Sequence, residues 1–145
     1  MTPRRLDWHS VHPKLRQIER FAGVLVSFDP VTAADLDADI RTALAVERAL
    51  TLLVELAFAV NAHVAAAVLG RSPDSYAESF ALAAEVGAID AALAARLRPS
   101  AGMRNVLVHA YLEVDHEIVA ASLPSAVTDY TEYSRQVARW FATSG

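Results

Sequence analysis

Apolar residues recur along this chain at spacings of three and four, which places them on one face of an α-helix. Such a stripe predicts a first helix over residues 13–28, with Pro13 in its first turn, and Asp29-Pro30 ends it. The capping pattern Thr32-Ala-Ala-Asp35 then begins a long second helix. This helix contains the apolar segment 49–69 and ends at Gly70.

Turn-forming residues divide the next part of the chain into two further helices. Ser72-Pro73-Asp74 predicts the start of a third helix, which ends at Gly87. A fourth helix is expected from near Asp90 to about residue 110, with a disturbance at Pro99.

The last helix is expected to begin near Pro124, after a short helical turn within residues 115–122. Helices joined by short connections pack most simply side by side. The chain is therefore predicted to be all-α, an antiparallel up-and-down bundle of four to five main helices, forming one domain over residues 1–145. The second helix has more apolar surface than such a bundle can bury, so we expect a homodimer that covers the rest.

Composition narrows the possible functions. The 145 residues are 54% hydrophobic and include no Cys, which excludes a disulfide scaffold, a cysteine-based zinc site and a cysteine nucleophile. Residues 49–69 are long enough to span a bilayer, but Glu55 near their centre would cost about 2.5–3.5 kcal/mol in lipid. We therefore expect a buried core helix and no membrane association. Asp7 and His9 interrupt any signal-peptide pattern, so a cytoplasmic protein is expected.

The net charge of −4 would repel nucleic acid from the molecule as a whole. Binding of RNA would require a local basic patch, for which Arg96, Arg98 and the N-terminal arginines are the candidates.

Histidine and carboxylate spacing gives little support for a metal site. Glu113-Val-Asp-His116 has the Glu-x-x-His spacing of di-metal bundles, but those sites need a second such pair, which this sequence lacks. His9 and His12 are expected on the surface, and His63 is expected as a hydrogen-bonded histidine in the core or an interface. No metal site is predicted.

The segment from Met103 to Tyr111 combines residue types that can act on a phosphate ester. Arg104 offers forked donors to phosphate oxygens, His109 can transfer a proton near neutral pH, and the phenol of Tyr111 can donate a hydrogen bond or accept a group. On a helix Asn105 and His109 lie one turn apart, whereas Arg104 and His109 lie about 140° apart. The stripe expected to face the core, away from these polar residues, comprises Met103, Val106, Leu107 and Ala110. By themselves, the polar residues also fit an ordinary solvated helix face.

Arg104-Asn-Val-Leu-Val-His109-Ala-Tyr111 resembles the R-x-x-x-x-H-x-Y motif of HepT-like toxins, which belong to the HEPN superfamily of helical ribonucleases. The surrounding sequence is similar as well, in the blocks 47–63, 73–80 and 102–115, so the resemblance covers roughly residues 13–142. It implies an all-α bundle that pairs as a homodimer and cleaves RNA without a metal or other cofactor. The RNA would be a tRNA or an mRNA.

The resemblance also implies a role for each motif residue. Arg104 would bind the scissile phosphate, His109 would transfer protons during attack by the 2′-hydroxyl, and Asn105 would orient His109 or the phosphate. A minimal nucleotidyltransferase antitoxin would use ATP to transfer AMP to Tyr111, which would block RNA binding. Because Arg104 and His109 lie on different sides of the helix, the site is expected to be shared across a dimer axis. The alternative is a non-catalytic helical module that binds the nucleotidyltransferase.

Overall fold

The computed structural model describes residues 5–109 and 113–144, which form α-helices and no strands. Five long helices and one short helix lie within those ranges. In chain order they are α1 (Trp8–Phe28), α2 (Ala33–Ala38), α3 (Ile40–Leu69), α4 (Tyr76–Val86), α5 (Ala91–His109) and α6 (His116–Ser144). The predicted all-α fold with four to five main helices is confirmed.

Helix α1 begins five residues before the predicted start, because Asp7 caps it. The Asp7 carboxylate accepts a hydrogen bond from the His9 backbone N–H at 3.0 Å, and Pro13 lies inside the helix. The predicted end at Asp29 is confirmed. One face of α1 buries Val11, Leu15, Ile18, Ala22 and Leu25.

The predicted long second helix is wrong at its start, because two helices occupy that stretch. Thr32 and Asp35 form the predicted capping box, with hydrogen bonds of 3.1 and 2.9 Å. Helix α2 then ends after six residues, and Asp39 caps a new helix by accepting from the Arg41 backbone N–H at 2.9 Å and the Thr42 hydroxyl at 3.2 Å. An aspartate that bonds to nearby backbone competes with helix continuation.

The predicted ends at Gly70 and Gly87 are confirmed, but the predicted start of the third helix is not. Gly70 and Gly87 end α3 and α4 with φ of 65° and 94°, where a side chain would be strained. Ser75, rather than Ser72, caps α4, since its hydroxyl accepts from the Glu78 backbone N–H at 3.0 Å.

The predicted interruptions of the last two helices are absent from the described residues. Helix α5 begins at Ala91, as expected for a start near Asp90, and runs through Pro99 without a break to His109. The predicted turn within residues 115–122 and the helix from Pro124 are one continuous helix, α6, with Pro124 inside it. A proline removes one hydrogen bond from a helix, and burial of α6 against its neighbours offsets that loss.

Helix α3 lies at the centre of the bundle. It contacts α1, α4, α5 and α6, and its largest buried residues include Val46, Leu53 and Val60. It also carries buried Asn61, whose side-chain oxygen accepts from the Tyr133 hydroxyl at 2.6 Å. Among the described residues α3 is the one helix long and apolar enough to cross a membrane, and 44% of its most apolar window is buried within the protein. A core helix accounts for the same composition, as predicted.

Candidate functional site

The Arg104 side chain points into the bundle rather than away from it. Its Nη2 donates to the Glu55 carboxylate on α3 at 3.2 Å, and only 18% of the side chain is exposed. On its other side the guanidinium lies 4.6 Å from the centre of the Tyr76 ring on α4, a cation–π distance. Val106, which was expected to face the core, is instead 52% exposed. The predicted outward orientation of the polar motif is therefore wrong for Arg104.

The guanidinium of Arg104 retains unused hydrogen-bonding capacity. Its Nε is buried without a hydrogen-bond partner in the described part of the chain. Among the described residues its Nη1 donates only to the Asn105 side-chain oxygen, at a long 3.5 Å. A buried donor without an acceptor carries a free-energy cost, so the surroundings of Arg104 satisfy its guanidinium only in part.

Glu55 and Tyr76 are the site residues that the sequence analysis did not assign. Glu55 is the one charged residue within residues 49–69, and a carboxylate in an apolar helix usually has a partner. That isolation was therefore a usable signal, although it does not identify the partner. Tyr76 gave no comparable signal. It packs against Phe58 with ring centres 4.6 Å apart, so the ring beneath Arg104 is held in place.

His109 and Asn105 lie on a different side of α5 from the Arg104 side chain. Both are exposed, and they are one helical turn apart, as predicted. His109 is the last residue of α5. Tyr111 lies outside the described residues. The structure thus leaves both Asn105 and His109 at the surface, and Asn105 keeps only a long contact of 3.5 Å with the Arg104 guanidinium.

The remaining histidines are in the places that the sequence indicates. His63 is buried, and its Nε2 accepts from the Asp7 backbone N–H at 2.9 Å, as expected of a core histidine. His9 and His12 are exposed on α1.

His116 joins α6 to α2, since its Nδ1 is 2.6 Å from the Asp37 carboxylate. Burial raises the pKa of nearby Glu47, and the charge of His116 opposes that rise. No group of three possible metal ligands exists within residues 5–109 and 113–144. Glu113 and His116 therefore do not form a metal site with a third described residue.

One of the basic-patch candidates is neutralised within the fold. The Arg96 Nε donates to the Asp129 carboxylate at 3.1 Å, and the Asp129 side chain is only 11% exposed. Arg98 is exposed on α5, and Arg5 is exposed before α1. Of the two candidates on α5, Arg98 therefore forms no ion pair with the described residues, whereas Arg96 does.

Comparisons with known proteins agree with one another. A family model described as ribonuclease HepT-like matches residues 12–137. A tRNA nuclease HepT of Aphanizomenon flos-aquae is 26% identical over 133 residues, which cover 92% of this chain and 90% of that protein.

Two solved structures have a similar fold. One is a tri-AMPylated Shewanella oneidensis HEPN toxin in complex with MNT antitoxin, with a TM-score of 0.78 and 21% identity, covering 89% of this chain and 96% of that one. The other is YutE, a cytosolic protein of unknown function from Bacillus subtilis, with a TM-score of 0.80 and 20% identity, covering 96% and 93%.

Proposed function

The chain belongs to the ribonuclease HepT-like family, and from that premise we propose that it is the toxin of a toxin–antitoxin pair that cleaves RNA without a metal. The main support for the proposal is the environment of the Arg104 side chain. Its guanidinium is mostly buried, held by Glu55 and Tyr76, and has a donor without an acceptor. Positioned donors of this kind suit a phosphate, because they are ordered before the substrate binds.

In the proposed reaction Arg104 binds the scissile phosphate and stabilises the charge that develops on it. His109 takes the proton from the 2′-hydroxyl, and the 2′-oxygen attacks the adjacent phosphorus. The bond from phosphorus to the 5′-oxygen breaks, and the leaving oxygen takes up a proton from the solvent, to which His109 releases the proton that it took. The products are a 2′,3′-cyclic phosphate and a 5′-hydroxyl end. Asn105, which contacts Arg104, would orient the phosphate or His109.

We further propose that two subunits share the site. An ideal helix separates Arg104 and His109 by about 140°, and in this fold Arg104 packs against α3 while His109 is exposed. Val106 lies on the same side of α5 as His109 and is more than half exposed. Among the other large apolar residues that are more than half exposed are Ile40, Leu44 and Ile118. A homodimer would bury this apolar surface and bring His109 next to Arg104 of the second subunit.

The proposed partner is a minimal nucleotidyltransferase antitoxin in the cytoplasm. The Shewanella toxin of similar fold is AMPylated and bound to an MNT antitoxin. In this chain Tyr111 would attack the α-phosphorus of ATP, and pyrophosphate would leave. The added phosphate and nucleoside would repel and obstruct RNA near Arg104.

The first test is cleavage of purified tRNA by the purified chain in the presence of EDTA. We expect products that end in a 2′,3′-cyclic phosphate, as measured by mass spectrometry. Arg104→Ala and His109→Ala should each lower the rate at least about 100-fold, the scale of a lost oxyanion donor or acid–base group. Arg139→Ala and His9→Ala are the matched controls, since both residues are exposed and neither belongs to the motif or to the predicted basic patch, and they should retain activity. Equal rates for all four variants would reject the ribonuclease and favour the non-catalytic module.

A second test asks whether the site is shared. In a mixed dimer of Arg104→Ala and His109→Ala subunits, one shared site keeps both residues and the other loses both. Random pairing at equal amounts should therefore restore about a quarter of the wild-type rate, given two sites per dimer. A site formed within one subunit would give no recovery, and this result would reject sharing.

The antitoxin is tested through Tyr111. Incubation with the purified nucleotidyltransferase and ATP should increase the mass of the chain by one or more AMP groups and stop cleavage. Tyr111→Phe should gain no AMP at that position and remain active. Modification of Tyr111→Phe to the wild-type extent would reject this tyrosine as the acceptor.

A further inference from the structure

A cavity of about 350 Å³ opens between α3, α5 and α6, next to the candidate site. Met103 lines it and directly precedes Arg104. The volume is at the lower end of the range of small-ligand sites, about 300–1,000 Å³. The cavity can therefore hold one small ring system, such as a nucleobase.

The walls of the cavity are mainly apolar. Leu50 and Val54 contribute from α3, and Leu97, Pro99 and Met103 contribute from α5. Apolar walls of this kind favour binding of an aromatic ring by its flat face, because the faces of the ring are then removed from water.

Polar groups of both kinds lie at the side of the cavity formed by α5 and α6. Asp129 accepts from the Arg96 Nε through Oδ1, whereas Oδ2 and the two Nη atoms of Arg96 form no hydrogen bond with the described residues. Nearby, the hydroxyls of Ser100 and Tyr130 are 2.7 Å apart. Burial raises the pKa of Tyr130, so its hydroxyl keeps its proton at neutral pH. The cavity thus offers donors from Arg96 and an acceptor from Asp129 side by side.

We propose that this cavity is a base subsite that takes a guanine of the RNA beside the phosphate held by Arg104, an inference that rests on the proposed function. Guanine presents the acceptors O6 and N7 to Arg96, and it presents N–H donors to Asp129. Adenine presents an acceptor in place of the N1–H donor, so it fits the carboxylate poorly.

The placement of these residues on α5 supports the connection to Arg104. At 100° per residue, Leu97, Ser100 and Arg104 lie within about 60° of one another, and Ser100 is about 6 Å from Arg104 along the helix. The base and the phosphate would therefore bind on the same side of α5.

The test measures binding of GMP, AMP, CMP and UMP to the full chain by titration calorimetry, without any cleavage step. We expect GMP to bind at least about tenfold more tightly than the other three, the discrimination typical of a paired base edge. Ala126→Phe places a ring in the cavity and should weaken GMP binding at least about tenfold. Ala142→Phe, at an exposed position of the same helix, should have no effect.

Asp129→Asn provides a second variant that keeps the cavity open. It replaces the carboxylate acceptor by an amide and should remove most of the preference for GMP over AMP. Circular dichroism checks that each variant folds. Equal binding of the four nucleotides, no binding of GMP, or GMP binding that Ala126→Phe leaves unchanged would each overturn the proposal.

Two outcomes separate this proposal from the proposed function. Selective GMP binding that Ala126→Phe abolishes, in a chain that cleaves no RNA, would keep the base site and reject the ribonuclease. Cleavage of RNA with the same rate and base preference in wild type and Ala126→Phe would keep the ribonuclease and reject the base subsite.

Discussion

Replacing Glu55 by Ala should cost far more stability than breaking an ordinary surface ion pair. Glu55 is 3.2 Å from the guanidinium of Arg104, and the two side chains are 34% and 18% exposed. Glu55→Ala leaves a mostly buried positive charge with Tyr76 as its main remaining partner, and Arg104 already has one buried donor without an acceptor.

The expected magnitude follows from the exposure of the two partners. Breaking a fully buried pair costs about 3–5 kcal/mol, and an exposed pair contributes about 0–1 kcal/mol. With Glu55 about one-third exposed, we expect Glu55→Ala to lower the free energy of unfolding by about 1–3 kcal/mol. Glu55→Gln keeps an acceptor at the same place and should cost less, about 1 kcal/mol.

The assay is urea unfolding followed by circular dichroism, with Glu85→Ala as the matched control. Glu85 is 3.3 Å from Arg71, but both side chains are about half exposed, so its loss should cost less than about 1 kcal/mol. A double-mutant cycle of Glu55→Ala with Arg104→Ala should give a coupling energy of at least about 1 kcal/mol. Equal losses for Glu55→Ala and Glu85→Ala, with no coupling, would refute the reasoning.

Three other predictions concern the fold. Gly87→Ala places a side chain at φ 94° and should lower the free energy of unfolding by about 1–2 kcal/mol. Gly23→Ala, in open space within α1, should raise it by about 0.5–1 kcal/mol in the same urea assay. Tyr133→Phe leaves buried Asn61 without its donor and should lower the unfolding free energy by about 1–3 kcal/mol; a neutral result would contradict this account. At Asp90 a backbone N–H of α5 holds the carboxyl pKa below its usual value. Asp90→Ala should therefore lower the urea midpoint at pH 7, and the difference should shrink below about pH 3.9, because a protonated Asp90 loses that bond.

Local signals in the sequence were sufficient for several helix ends. The Thr32 capping box and the stops at Gly70 and Gly87 depend on residues within one turn, so they could be predicted correctly. The same approach was wrong at Asp39 and Pro124, where the local sequence is compatible with both a continuous and an interrupted helix. Asp39 interrupts a helix that could have continued, and Pro124 lies inside a helix that could have been broken. The prediction of one domain over the whole chain stays a prediction.

The sequence by itself determined the helical class, the motif on α5 and the separation of Arg104 from His109 around that helix. Only the tertiary structure decided which of them faces inward. Arg104 turns toward the bundle because Glu55, 49 residues earlier in the chain, lies opposite it on α3, and Tyr76 lies beneath it. Helical periodicity records interactions over three or four residues. A contact between distant helices depends instead on how their faces pack, and no local pattern contains that information.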